Sequence, residues 1–236
     1  VSKSIKPHQI SIAYIMALSL VALIGFSLQK TDIRLPESEP VKNKLSLFVD
    51  KKTISIIGIS CVTALASLGL FSYIATIQSG SANSLTLTLF SWGLGGFVGS
   101  SFVGFFIDKT GKPQLIMALI LAGLMLTIIS IPFTQHLPYL GLIPFFMWGA
   151  LGWATTNPQQ HILFELHETK GAILVALNSS AFGLGAALGT ALGGLIINSG
   201  LEEIYLPFSA AALLLVVLIG QLLLIKNSNN RSIIHE

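Results

Sequence analysis

The sequence is short of charge. Only 10% of its 236 residues are Asp, Glu, Lys or Arg, against about 25% in soluble domains. That excludes an ordinary water-soluble domain. Cysteine is scarcer still: Cys61 stands alone in an apolar run, so no internal disulfide is possible, and it reads as a small packing residue. No serine–histidine–carboxylate set, carboxylate pair within an apolar run or metal-ligand spacing is present, so the chain reads as a non-enzyme without cofactor or metal. His161, Glu165, His167 and Glu168 do cluster, but without the two histidines four apart of a zinc protease. They read as the polar side of an interfacial helix whose apolar side is Ile162, Leu163 and Leu166. The net charge of +3 implies no nucleic acid, because the charges sit in short loops beside apolar runs.

Apolar runs are what the chain has. Hydrophobic residues make up 53% and mean hydropathy is +0.79. A helix crosses hydrocarbon with about 20 apolar residues, and seven runs meet that length: 10–28, 54–78, 85–107, 114–133, 138–157, 172–197 and 204–225. None contains Asp, Glu, Lys or Arg, and none alternates polar and apolar as a barrel strand would. The expected fold is an all-α integral membrane protein of seven transmembrane helices. Residues 1–28 hold the first helix, 29–53 a linker, 54–226 a six-helix bundle and 227–236 a tail. Leu35-Pro36-Glu37 interrupts any helix in the linker, and 41–52 has the apolar spacing of an interfacial helix.

Two stretches, Gly93-Leu-Gly95-Gly-Phe-Val-Gly99 and Gly183-Leu-Gly185-Ala-Ala-Leu-Gly189, imitate a dinucleotide fingerprint. That motif needs a strand before it and a helix after it, and both stretches lie inside apolar runs. Lys3 and Lys6 ahead of the first run imitate a secretory signal, but no small-residue cleavage site precedes Gln29, so the run is expected to remain as a span. The chain opens on Val, and one helix joined to a compact six-helix unit suggests a piece of something larger.

Eleven of the thirteen Lys and Arg fall on one side when the loops are numbered alternately: Lys30, Arg34, Lys42, Lys44, Lys51, Lys52, Lys109, Lys112, Lys170, Lys226 and Arg231. The opposite side has only Lys3 and Lys6, and its turns carry Glu202 and Glu203. The positive-inside rule makes the basic side, with the C-terminus, cytoplasmic.

Small residues predict how the helices pack. Gly95 and Gly99, then Gly96, Ser100 and Gly104, recur every four residues. Ala181, Gly185, Gly189 and Gly193 form a second stripe, with Ala187 and Ala191 beside it. Lipid tails are as apolar as Leu, so helices associate through close contact, which small residues permit. Polar and aromatic residues within spans, Tyr73, Gln78, Trp148, Trp153, Asn157 and Asn178, either hydrogen-bond between helices or face an aqueous cavity. Asn178-Ser179-Ser180 matches a glycosylation sequon, but it falls within a span.

The charged turn Gly104-x-x-x-Asp108-Lys109-x-Gly111-Lys112 resembles the signature loop of the major facilitator superfamily. Trp148-Gly-Ala-Leu-Gly-Trp153-Ala-Thr-Thr-Asn-Pro158 and the stretch from Ala176 through Asn178 and Phe182 to Gly194 resemble its drug–proton antiporter branch, especially bacterial arabinose-polymer and purine efflux permeases. Leu35-Pro36-Glu37 resembles the end of that family's sixth helix. The resemblance implies that the seven spans are family helices six to twelve, the C-terminal half of a twelve-helix permease in the bacterial inner membrane. It implies efflux of a small organic solute by alternating access, with proton coupling supplied by an N-terminal half that is not in this sequence. Tyr73, Gln78, Trp148, Trp153, Asn157, Asn178 and Phe182 become the expected cavity lining. Gly104, Asp108, Lys109, Gly111 and Lys112 become the gating loop. The alternative is a truncated membrane protein, or a subunit needing a separate N-terminal half.

Orientation is directly testable. In a Cys61→Ser background, single cysteines at Thr110 and Ser81 are exposed to a membrane-impermeant thiol reagent on intact cells. Only Ser81→Cys should react; labelling of Thr110→Cys would invert the topology.

Overall fold

The computed structural model describes residues 7–28, 50–78, 81, 83–166 and 170–234, with side chains from residue 12 onward and as far as 227. The expected interfacial helix at 41–49, Leu35-Pro36-Glu37 and the residues His167 and Glu168 lie outside the described residues. The chain falls into two units, Val1–Pro40 and Val41–Glu236. The first contains α1 (Pro7–Leu28), apolar over Ile12–Leu28.

The regular elements described in the second unit are all helices: α2 (Lys51–Phe71), α3 (Ile74–Ile77), α4 (Leu85–Thr110), α5 (Pro113–Thr134), α6 (Leu142–Ala154), α7 (Thr156–Leu166), α8 (Gly171–Asn198) and α9 (Tyr205–Ile234). Capping chemistry sets several ends. The Asp50 carboxylate accepts from the amides of Lys52 and Thr53 at the start of α2, and Ser84 accepts from Leu87 at the start of α4. Gly111 closes α4 in the left-handed region at φ 62°, its amide bonded to the Ile107 carbonyl, a conformation a side chain disfavours.

Five helices among the described residues are long and apolar enough to cross a membrane: α2, α4, α5, α8 and the Tyr205–Asn227 part of α9. Of the other two expected spans, one lies in α1 and the other is interrupted. α1 is a helix of 22 residues, Pro7–Leu28, that contains the run 10–28. The run 138–157 is not one helix, because it begins as a turn and ends at a break. Asn83 clamps the turn, donating to the Leu137 carbonyl and accepting from the Tyr139 amide, which holds Tyr139 at φ 58°. The break falls at Thr155, between α6 and α7. Pro158 has no amide hydrogen, and in a continuous helix its ring would meet the Ala154 carbonyl. Ending α6 at Ala154 and restarting at Thr156 puts Pro158 in a first turn, where no donor is needed. α9 runs on past the apolar run 204–225 to Ile234.

The packing is by pairs. α2 lies along α8, and α4 lies along α6; α9 leans on α5 and α2, and α5 also meets α6. Half of the apolar window of α2 is buried but only 17% of that of α8, which puts α2 inside and α8 on the flank. The core is filled by Met117, Leu121, Leu124, Ile128 and Ile131 of α5, with Leu70, Phe145, Trp148 and Leu214. Their spacing of three and four along α5 is one helical stripe.

Glycine sets the distance between paired helices. A Cβ on Gly185 would run into the Cys61 carbonyl and one on Gly189 into the Leu65 carbonyl, while Gly69 crosses Gly189 backbone to backbone. On the other pair, Gly95 and Gly99 meet the carbonyls of Phe146 and Ala150, and Gly149 meets that of Trp92. Gly193 instead receives the ring of Tyr73. Gly104 has open space, and Ala187 and Ala191 are exposed, so the small-residue stripes are narrower than the spacing suggested.

Pro158→Ala tests the origin of the break. Restoring the amide and removing the ring should slow hydrogen exchange at Thr155–Gln159, since proline inside a helix costs about 3 kcal/mol. Unchanged exchange there would place the cause of the break elsewhere.

Candidate functional site

Most hydroxyls in the spans are satisfied by their own helix: Ser60 donates to the Ile56 carbonyl, Thr63 to that of Ile59 and Thr190 to that of Ala186. In hydrocarbon an unmet polar group costs several kcal/mol, so the informative groups are the ones that reach elsewhere. They gather mainly where α2, α4, α6 and α8 face one another.

There, Trp148 is fully buried and donates through Nε1 to Ser67 Oγ at 2.8 Å, joining α6 to α2. Phe71 stacks on Trp92 at 4.1 Å between centroids, and Trp153 stands edge-on to Trp92 at 6.0 Å. Ser67, Trp92, Trp153, Thr63, Gly152 and Phe182 line one narrow cleft. Its free space is about 10 Å³, the room of about one water. The Trp92 indole nitrogen is buried there without a hydrogen-bond partner among the described residues, while Trp153 is 43% exposed. The cleft therefore offers one free N–H donor, hydroxyl oxygens and aromatic faces, with no charge.

The expected cavity residues do not all meet. Trp153 and Phe182 line the cleft, and Trp148 lies beneath it as a core residue rather than on its surface. Tyr73 sits at the break between α2 and α3, where its hydroxyl donates to the Thr190 carbonyl at 2.5 Å and pins α2 to α8. Gln78 is buried, donating to Thr88, with its carbonyl oxygen unpaired among the described residues. Asn157 donates to the Ser100 carbonyl at 3.3 Å, joining α7 to α4. Asn178 is buried with Oδ1 unpaired, and Gln159 is buried with both amide atoms unpaired among the described residues.

Sequence reasoning passed over Trp92, Ser67 and Gln159. Trp92 had a signal: with Thr88, Gly95, Gly96 and Gly99 it repeats every three or four residues along the glycine face of α4. Ser67 had none, because only the fold brings it to Trp148.

The expected loop at 108–113 is mostly helix: Asp108 and Lys109 lie exposed in the last turn of α4 and Lys112 exposed just before α5, and the Lys109 ammonium lies 5.8 Å from the centroid of the Phe105 ring. His161 and Glu165 pair at 3.4 Å on the exposed side of α7, and the described residues contain no group of three metal-ligating side chains.

No protein-family model matches the chain. It is similar to the inner membrane transport protein YdhP of Escherichia coli (strain K12), 28% identical over 185 residues that cover 75% of this chain and 47% of that protein. It is also similar to two proteins of Bacillus subtilis (strain 168) named as uncharacterized MFS-type transporters. YfhI is 28% identical over 193 residues, 78% of this chain and 47% of its own length. YbcL is 25% identical over 190 residues, 78% of this chain and 48% of its own length. The relatives are membrane transporters by name. The chain spans about half the length of the curated relatives it matches.

Proposed function

We propose that this chain is the C-terminal half of a major facilitator transporter of the drug–proton antiporter branch, carrying a neutral organic solute out of the cell. The observation that carries the reading is the uncharged cleft at Ser67, Trp92, Trp153 and Phe182, with its unpaired indole donor. Support comes from the transporter relatives, from the glycine-packed spans and from the charge asymmetry of the loops. In this reading α2, α4, α6 and α8 present the cleft to a second bundle, and the solute is exposed to each side in turn as the two bundles rock. Tyr73, Gln78, Asn157 and Asn178 extend the polar path above and below it. The basic end is cytoplasmic, the membrane is the bacterial inner membrane, and protons enter through the other half.

The turn Gly104–Lys112 acts as the gating loop. In this reading Asp108, exposed at the end of α4, meets a helix N-terminus of the other half, where a carboxylate gains about 0.3–1 kcal/mol. That the chain covers only half of its relatives favours a second reading: a membrane protein that does not transport until a separate N-terminal half joins it.

The test uses the chain joined to whatever precedes it in its own gene, reconstituted in vesicles and offered a panel of neutral aromatic and sugar solutes. Transport should appear, and Trp92→Phe, which keeps the ring and removes the donor, should slow it about tenfold, the worth of one hydrogen bond. Absence of transport of the whole panel overturns the transporter reading. Transport unchanged in Trp92→Phe removes the cleft from it.

A further inference from the structure

α4 and α5 are joined by the turn at Gly111 yet scarcely meet along their length; each packs on α6 instead. Between them is a groove of about 410 Å³ in which every lining side chain is apolar. Its walls include Phe102 and Phe106 from α4 and Ile116 and Leu119 from α5, and its floor includes Ala150 and Ala154 of α6. Phe102, Phe106 and Leu119 are more than half exposed at its rim.

Both walls end in a lysine. Lys109 follows Phe106 by three residues and Phe102 by seven, on the same stripe of α4. Lys112 precedes Ile116 by four, at the start of α5. Both lysines are exposed. Asp108 leaves the turn a net charge of +1, but it lies about 100° round the helix from Lys109, on the stripe of Gly104. By register, then, a lysine stands at the end of each apolar wall, and the Lys109 ammonium rests 5.8 Å from the ring of Phe105, the neighbour of the wall residue Phe106.

We propose that this groove seats one acyl chain of an anionic phospholipid whose phosphate is held between Lys109 and Lys112. A helix of another protein suits the groove less well. Close helix contact needs small residues at the rim, and here the rim is Phe102, Phe106 and Leu119, while Gly95, Gly96 and Gly99 of α4 pack against α6. An acyl chain needs only a narrow apolar slot, and the two lysines supply what a phosphate requires. The lipid would tie the end of α4 to the start of α5 across the turn.

The full chain in detergent is titrated with phosphatidylglycerol and with phosphatidylcholine of identical acyl chains, and bound lipid is counted by native mass spectrometry. Phosphatidylglycerol should be retained about tenfold better, at the scale of lysine attraction to anionic headgroups. Lys109→Gln with Lys112→Gln should erase that preference, whereas Lys51→Gln with Lys52→Gln, at the start of α2, should keep it. Leu119→Trp, which obstructs the groove and spares both lysines, should lower retention of both lipids. Glycerol phosphate, a headgroup without chains, should not compete. Equal retention of the two lipids, indifference to the Lys109 and Lys112 pair, unchanged retention in Leu119→Trp, or displacement by glycerol phosphate would each overturn the site.

Discussion

Backbone meets backbone at glycine in this molecule, and the arrangement of the other helices depends on it. In water two helices are driven together because apolar area leaves the solvent, but in a bilayer the lipid is as good a neighbour as the protein. What remains is dispersion at close range, each pair of atoms adding about 0.1–0.2 kcal/mol. Such contact accumulates only where nothing projects between the helices. Gly69, Gly185 and Gly189 meet that condition between α2 and α8, and Gly95, Gly99 and Gly149 between α4 and α6. These two tight pairs fix where Ser67, Trp92, Trp153 and Phe182 arrive, one from each of the four helices. The cleft is a consequence of the packing.

Polar groups obey the same constraint from the other side. Most serines and threonines are satisfied locally by the carbonyl one turn back, Ser91, which donates to the Leu142 carbonyl, being an exception. Indole and amide groups cannot do this, and they either bridge helices or stay unmet. Trp148 to Ser67, Tyr73 to Thr190 and Asn157 to Ser100 are bridges. Trp92, Asn178 and Gln159 keep unpaired atoms. Three aromatic residues that look alike in the sequence thus have different work: Trp148 holds the core, Tyr73 pins two helices and Trp92 faces the cleft.

That difference marks how far the sequence could be read. The runs at 85–107, 114–133, 172–197 and 204–225 all emerge as helices because an uncharged stretch of that length has little else to become. The run at 138–157 misleads for a physical reason. Hydropathy averages over Asn83's clamp on the 137–139 turn and over the proline that forces a restart after Thr155. Glycine spacing located the contact faces of α4 and α8 but not their partners, α6 and α2, because spacing is a property of one helix and a contact belongs to two. For the same reason Ser67 was not legible, because only the fold brings it to Trp148.

A methyl scan of the helical glycines measures the central constraint most directly. Alanine is the better helix former by about 0.5–1 kcal/mol, so Gly→Ala should be neutral or stabilising wherever space is open, as at Gly58, Gly93, Gly183 and Gly220. At Gly69, Gly99, Gly149 and Gly185 the same methyl would strike backbone of the paired helix, and a loss of about 1–3 kcal/mol is expected from overpacking. Reversible unfolding in mixed micelles reads both sets on one scale. Opposite signs for the two sets are the predicted result; equal effects across all eight positions would contradict it.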